Sequence, residues 1–197
     1  MTDSKSALRR QLRDRRQRLT VRGVSHLSRR VCVRVSALSV YRQACSIGLY
    51  LPIDNEVDTS YLLASALRWG KRVFLPVTNR QKKSMQFVRY QEETPLHGGA
   101  FGIPEPVPDA HDPAIDTPGG LDLLFLPLVG FDRRGARLGY GGGFFDRFLE
   151  AHPRPPLIGL AYGFQEVATL PQDPLDVRLD GVVTEREIIL SAASPSS

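Results

Sequence analysis

Cysteine and histidine are scarce in this chain of 197 residues, which has two of the first and four of the second. Cys32 and Cys45 form no CxxC pair and cannot fill a four-ligand zinc site, so both are expected as buried or half-buried thiols of a reducing compartment. His26, His97, His111 and His152 fall at no spacing that suggests a shared metal or a catalytic triad, which sets aside a histidine-centred mechanism. Long apolar runs are missing as well. The longest, Leu123 to Phe131, holds a proline and a glycine, whereas a membrane span needs about 18 apolar residues. Met1 to Gln11 lacks the apolar core of a secretory signal, and a cytoplasmic protein is expected. GxxxxGK[ST] is absent, and a GxGxxG frame opening at Gly139 fails on Phe144, so neither Walker nor Rossmann binding is supported.

What is present is ordinary in bulk: 42% hydrophobic and 24% charged residues describe a globular chain, long enough to bury roughly 70% of its unfolded surface without disulfides. Residues 1–190 read as a single domain and 191–197 as a flexible small-residue tail. Charge is uneven. Met1 to Arg42 holds 12 Lys/Arg and 2 Asp/Glu, leaving 14 against 19 for the rest of the chain. A basic segment of this kind meets an anion, such as nucleic acid, a nucleotide or a polyacidic small molecule, or is a solvated helix face. Composition alone favours the solvated face; an Arg-rich, acid-poor start also matches a mitochondrial transit peptide.

Periodicity predicts two amphipathic helices, one over Lys5 to Leu19 with Ala7, Leu8, Leu12 and Leu19 near one face, the next carrying Val24, Leu27, Val31, Val35 and Leu38. Ser46 to Leu51 reads as a strand, Thr59 to Trp69 as a helix, and Arg72 to Val77 as a strand closed by proline, an order that suggests a parallel crossover. Met85 to Tyr90 is a further strand. Glu92 to Gly120, rich in proline, glycine and acid, reads as a long loop or lid. Leu121 to Val129 suits a central strand buried on both faces, and Phe144 to Ala151 the helix after it. Leu157 to Tyr162 and Gly181 to Thr184 complete the strands of an α/β fold.

Between the central strand and its helix lies a loop dense in glycine, Gly130 to Asp146. Glycines 139, 141, 142 and 143 allow positive φ and close approach of backbone to an anion, and Arg137 adds a cation with bidentate reach. A phosphate cradle is the functional reading; a tight turn beneath a lid is the bland one. Asp146 is either a helix-start charge or a magnesium ligand, and Asp176 is a second loop carboxylate open to the same two readings.

Arg137-Leu-Gly-Tyr-Gly-Gly-Gly-Phe-Phe-Asp-Arg147, preceded by Leu126-Pro-Leu-Val-Gly-Phe-Asp132 and Lys5-Ser-Ala-Leu-Arg9, resembles the 5-formyltetrahydrofolate cyclo-ligase family. The resemblance extends through Leu51-Pro-Ile-Asp-Asn-Glu56, Phe101-Gly-Ile-Pro-Glu-Pro106, Leu170-Pro-Gln-Asp-Pro-Leu-Asp176 and Val183-Thr-Glu185. It implies a three-layer α/β/α sandwich with a mainly parallel sheet, of the sugar-isomerase and CoA-transferase type. It also implies a ligase that closes 5-formyltetrahydrofolate to 5,10-methenyltetrahydrofolate, with ATP as co-substrate, Mg²⁺ as cofactor and a phosphorylated formyl group between them.

Carried over residue by residue, the resemblance implies that Lys5, Arg9 and the run Arg137, Leu138, Gly139, Tyr140, Gly141, Gly142, Gly143, Phe144 and Phe145 bind ATP. Arg137 then also stabilises the transferring phosphoryl group, Asp146 and Asp176 hold the magnesium, and Leu51 and Glu56 bind the folate. The Gly102 to Pro106 turn walls the folate. On this reading the basic start belongs to the active site, not to a transit peptide. One departure is Phe145, where the family usually has tyrosine, so a phenolic hydroxyl is missing. The expected partners are small molecules, the expected state a monomer, and neither a membrane nor a nucleic acid is expected. A related kinase or ATPase acting on another small molecule is the nearer alternative, and a nucleic-acid binder using the basic segment the more distant one.

Overall fold

The computed structural model describes residues 2–99, 102–108, 120–150, 154–171, 173 and 176–191. Three helices open the chain: α1 (Thr2–Gln17), α2 (Val21–Ala37) and α3 (Ser39–Gln43). Thr20 ends the link between the first two, its side chain accepting a hydrogen bond from Gly23 N as an N-cap. There follow β1 (Ser46–Gly48), α4 (Ser60–Arg68), β2 (Arg72–Asn79), β3 (Ser84–Tyr90), β4 (Leu96–Gly98) and β5 (Pro104–Pro106). Then come β6 (Leu123–Pro127), β7 (Gly130–Phe131), β8 (Arg137–Leu138), α5 (Phe144–Glu150), β9 (Leu157–Leu160), β10 (Gly181–Val183) and β11 (Ile188–Leu190). Among the described residues no helix is long and apolar enough to cross a membrane.

Seven strands form one sheet in the order β11-β10-β9-β6-β1-β2-β3. The five inner strands are parallel and the two edges, β11 and β3, antiparallel. β6 is apolar throughout and so needs cover on both faces. Its alternate residues divide accordingly. Leu123 and Phe125 pack with Val31 and Val35 of α2, Tyr41 of α3 and Leu62 of α4. Leu124 and Leu126 point the other way, into a cluster with Phe148 and Leu149 of α5. The result is the expected α/β/α sandwich. α1 lies outside both helical layers: Leu12 packs against Val129, Leu138 and Leu170, the first two at the β7–β8 hairpin.

Several expectations need correction. β2 does not stop at its proline but runs to Asn79. The Phe74 carbonyl accepts from Leu49 N on the β1 side, so Pro76, two residues on, faces that same side where β1 has already ended; its missing N–H leaves no gap in the ladder. The lid region contains the β4–β5 hairpin, and the glycine loop starts from the β7–β8 hairpin. Cys32 is buried as expected, but Cys45 is exposed, because it enters the sheet at the amino end of β1, where Asp122 Oδ2 accepts its N–H at 2.8 Å. Ala7 is exposed, off the buried face of α1. Residues 100–101 and 109–119 of the lid, Ala151 of the predicted helix, and the tail 192–197 lie outside the described residues.

Candidate functional site

β1 connects through α4 to β2 on one side of it, whereas β6, its other neighbour, connects through α5 to β9 on the opposite side. Adjacent parallel strands whose connections part in this way leave a crevice at their carboxyl ends. A cavity of about 680 Å³ opens there, within the roughly 300–1,000 Å³ usual for small-molecule sites. α1, the Ile53–Glu56 turn, the glycine loop and the β5 segment supply its walls.

The inner face of α1 is cationic. Lys5, Arg9 and Arg13 recur at four-residue steps and Arg16 follows at three, which places all four on the stripe that carries Leu12. Lys5 Nζ donates to Asp173 Oδ2 at 2.6 Å and Asp176 Oδ2 at 2.9 Å. Burial works against its charge, yet the bonds and charges of those two carboxylates prevail and its pKa is raised. Arg9 Nε donates to Gly139 O at 2.8 Å, strapping the helix to the glycine loop. Arg13 pairs with Asp54 Oδ2 at 2.5 Å. Arg16 is 1% exposed and donates to Asp54 O at 2.7 Å, to Leu128 O at 3.4 Å and to the Tyr140 hydroxyl. The solvated-face reading of the basic segment therefore fails for these four residues.

Glu56 is placed by a turn that only certain residues tolerate. Asp54 and Asn55 take φ of 51° and 57°, both left-handed, and Glu56 N donates to Ile53 O at 2.8 Å, the pattern of a type I′ turn. Asp and Asn are the non-glycine residues best suited to it. The Glu56 carbonyl accepts from the Tyr162 hydroxyl at 2.9 Å, and Oε2 from Ile53 N at 3.0 Å. Among the described residues the buried Oε1 makes no hydrogen bond, and Arg16 Nη1 stands 4.0 Å away. Burial pushes the carboxyl pKa up to about 7, against the Ile53 N–H, Arg16 and the Tyr140 hydroxyl, which pull it down. Glu56 is thus a buried, half-satisfied acceptor, not a solvated loop acid.

In the glycine loop, Gly141 and Gly143 have φ of 97° and 64°, where a side chain would be strained. Arg147 ties this loop to the β2–β3 hairpin by donating to Gly142 O and Lys83 O, each at 2.7 Å. The Arg137 side chain is 6% exposed, with Nη2 2.5 Å from Asp146 Oδ1 and, among the described residues, no partner for Nε. Burial draws its pKa below the ordinary arginine value, while Asp146 and Asp176 both push it back up. These two half-exposed carboxylates therefore stand around one guanidinium. Among the described residues no group of three His, Cys, Asp or Glu could hold a metal alone. Two carboxylates completed by phosphate oxygens and water are a donor set that suits Mg²⁺.

Every residue assigned by the resemblance to ATP, the metal or direct folate binding lines this one cavity: Lys5, Arg9, Leu51, Glu56, the run Arg137 through Asp146, and Asp176. Of the expected folate wall over Gly102 to Pro106, Ile103 and Pro104 line it too, whereas Gly102, Glu105 and Pro106 do not. Sequence reasoning missed Arg13, Arg16, Asp54 and Asp173. The arginines had a signal in sharing the helix face of Leu12, but cations on a helix read first as solvated. Thr78 and Met85 of the β2–β3 hairpin also line the cavity and carry no sequence signal, since only the sheet order brings them there.

A family model for the 5-formyltetrahydrofolate cyclo-ligase family matches residues 1–185. A relative from Haemophilus influenzae named 5-formyltetrahydrofolate cyclo-ligase is 37% identical, over 90% of this chain and 96% of its own. The protein of that name from Mus musculus is 30% identical, over 94% and 95%. Among solved structures, the NMR structure of Aquifex aeolicus 5,10-methenyltetrahydrofolate synthetase aligns with a TM-score of 0.82 at 31% identity, covering 98% of this chain and 95% of that one. A 5,10-methenyltetrahydrofolate synthetase from Mycoplasma pneumoniae aligns with a TM-score of 0.74 at 29% identity, covering 92% and 99%. With a match this nearly end to end, and a cavity that gathers the residues on which the resemblance rested, the chain belongs to the 5-formyltetrahydrofolate cyclo-ligase family.

Proposed function

We propose that this cavity joins ATP to 5-formyltetrahydrofolate and drives the ring closure by phosphorylating the formyl oxygen. As a family member the protein is an enzyme that closes 5-formyltetrahydrofolate to the 5,10-methenyl form. Closure needs a leaving group, because the formyl oxygen would otherwise depart as hydroxide. In the proposed sequence that oxygen attacks the γ-phosphorus of ATP and ADP leaves. N10 then attacks the formyl carbon, the C–O bond breaks with loss of phosphate, and the N10 proton is released to give the methenyl bridge.

One observation carries the reading: a buried, unpartnered carboxylate oxygen and a cluster of cations and carboxylates line the same cavity. Lys5, Arg9 and the glycine loop hold the triphosphate. Arg137, desolvated and already placed, stabilises the charge that develops on the transferring group without reorganising at the moment of reaction. Glu56 Oε1 accepts an N–H of the pterin ring, filling the acceptor that the protein leaves open. Leu51, Ile103 and Pro104 supply apolar wall. Asp146 and Asp176 would hold Mg²⁺, which when bound would supply positive charge to offset that of the phosphates. The oxygen's path tests the sequence of steps. With substrate labelled by ¹⁸O in the formyl group, the label is expected in the released inorganic phosphate. Phosphate free of label would overturn the phosphorylated intermediate.

The nucleic-acid alternative loses Lys5, Arg9, Arg13 and Arg16, which turn inward, although Arg10, Arg15, Arg18, Arg22, Arg29 and Arg30 stay exposed. A kinase or ATPase for another small molecule is separated by Glu56→Gln, which on the folate reading weakens 5-formyltetrahydrofolate binding more than it slows ATP turnover.

A further inference from the structure

We infer that Arg16 is a positioning residue for Glu56, the carboxylate that meets the substrate: its buried guanidinium holds the Ile53–Glu56 turn and Tyr140 of the glycine loop in fixed relation to α1. The inference rests on the reading of Glu56 as the acceptor for the pterin. Arg16 lies on the face of α1 that carries Leu12 and is as buried as any apolar residue of that face. A leucine there would cost no desolvation, whereas a buried guanidinium is costly unless its donors are met.

The donors are met by three separate segments. Asp54 O belongs to the turn that places Glu56, Leu128 O follows the central strand, and the Tyr140 hydroxyl belongs to the glycine loop. The main chain of Arg16 is tied to the same turn, since Asn55 Nδ2 donates to Arg16 O at 3.3 Å and to Leu19 O at 3.1 Å. Two guanidinium groups approach the Tyr140 ring, Arg13 at 5.4 Å and Arg16 at 5.6 Å from its centroid. The 4.0 Å gap from Arg16 Nη1 to Glu56 Oε1 is too long for a hydrogen bond. Arg16 therefore fixes the place and favours the charge of the carboxylate while leaving Oε1 free for an incoming N–H.

A residue that only glued the helix down would alter stability and both substrates alike. The test is the split between them, read as KM for 5-formyltetrahydrofolate, KM for ATP and kcat in purified Arg16→Met, Arg16→Lys, Tyr140→Phe and Glu56→Gln proteins, with melting temperature alongside. Arg16→Met is expected to raise KM for 5-formyltetrahydrofolate at least tenfold, and several times more than it raises KM for ATP, whose loop Arg16 holds through Tyr140 alone. Arg16→Lys restores part of that loss, and Tyr140→Phe gives a smaller rise of the same kind. Equal changes in both KM values, or no change in either, overturn the inference. Should Arg16→Met fail to fold, wild-type KM for 5-formyltetrahydrofolate in both Arg16→Lys and Tyr140→Phe overturns it. Glu56→Gln separates the two levels. If it leaves that KM unchanged, the substrate reading and this inference fall together; if it raises KM and the Arg16 variants do not, this inference falls alone.

Discussion

Glu56 titrates in the pH range where the enzyme would be assayed. Burial sets its pKa near 7 against an ordinary value of 4.5, so below about 7 the carboxyl is neutral and a weaker acceptor for the substrate N–H. KM for 5-formyltetrahydrofolate is expected to fall as pH rises through about 7, and Glu56→Gln to abolish that step. Stability moves the opposite way. The folded pKa is raised, so the folded chain binds the proton more tightly than the unfolded one between about 4.5 and 7. The stability linked to this group is full below about 4.5 and is lost as pH rises through about 7, by roughly 3 kcal/mol. Urea denaturation of wild type and Glu56→Gln across this range checks it: their difference grows with pH, and a constant difference would remove the burial argument. At this scale the sequence revealed residue types and little about exposure. Glu56 was legible only through the Leu51–Glu56 motif, and Arg16 looked like any helical cation until packing placed it at 1% exposure.

The Ile53–Glu56 turn is the element on which the substrate end of the cavity depends. Asn55 both occupies a left-handed conformation and donates to the carbonyls of Arg16 and Leu19 near the end of α1. Asn55→Ala gives up both, and is expected to cost about 1–3 kcal/mol in denaturant unfolding and to raise KM for 5-formyltetrahydrofolate more than KM for ATP. An unchanged unfolding midpoint would mean the turn holds itself. Helices and buried strands were readable from period and apolarity, most clearly β6, whose unbroken apolar run demanded cover on both faces. Strand ends were not. Pro76 reads as a stop, and only the early end of β1 on that side explains why β2 passes through it. The short hairpins β4–β5 and β7–β8, with three and two residues per strand, offer too little pattern to detect.

At the scale of the whole molecule, function follows from strand order. Placing β1 beside β6 sends their connections apart, and into the crevice between them fall one turn from β1, one glycine loop from β6 and a helix from the chain start. That order joins residues far apart in sequence, such as Lys5 with Asp176 and Arg16 with Tyr140. No local pattern contains it; the α/β class was legible from alternation, the common site only from the family resemblance. What most needs testing is the coupling of ATP to ring closure in this cavity. Its most direct test is the absorbance of the methenyl product formed from 5-formyltetrahydrofolate by purified protein, with ATP and Mg²⁺ supplied together, singly or not at all. Product is expected only when both are present; product formed at the same rate without ATP, or none from folded protein supplied with both, would rule that coupling out.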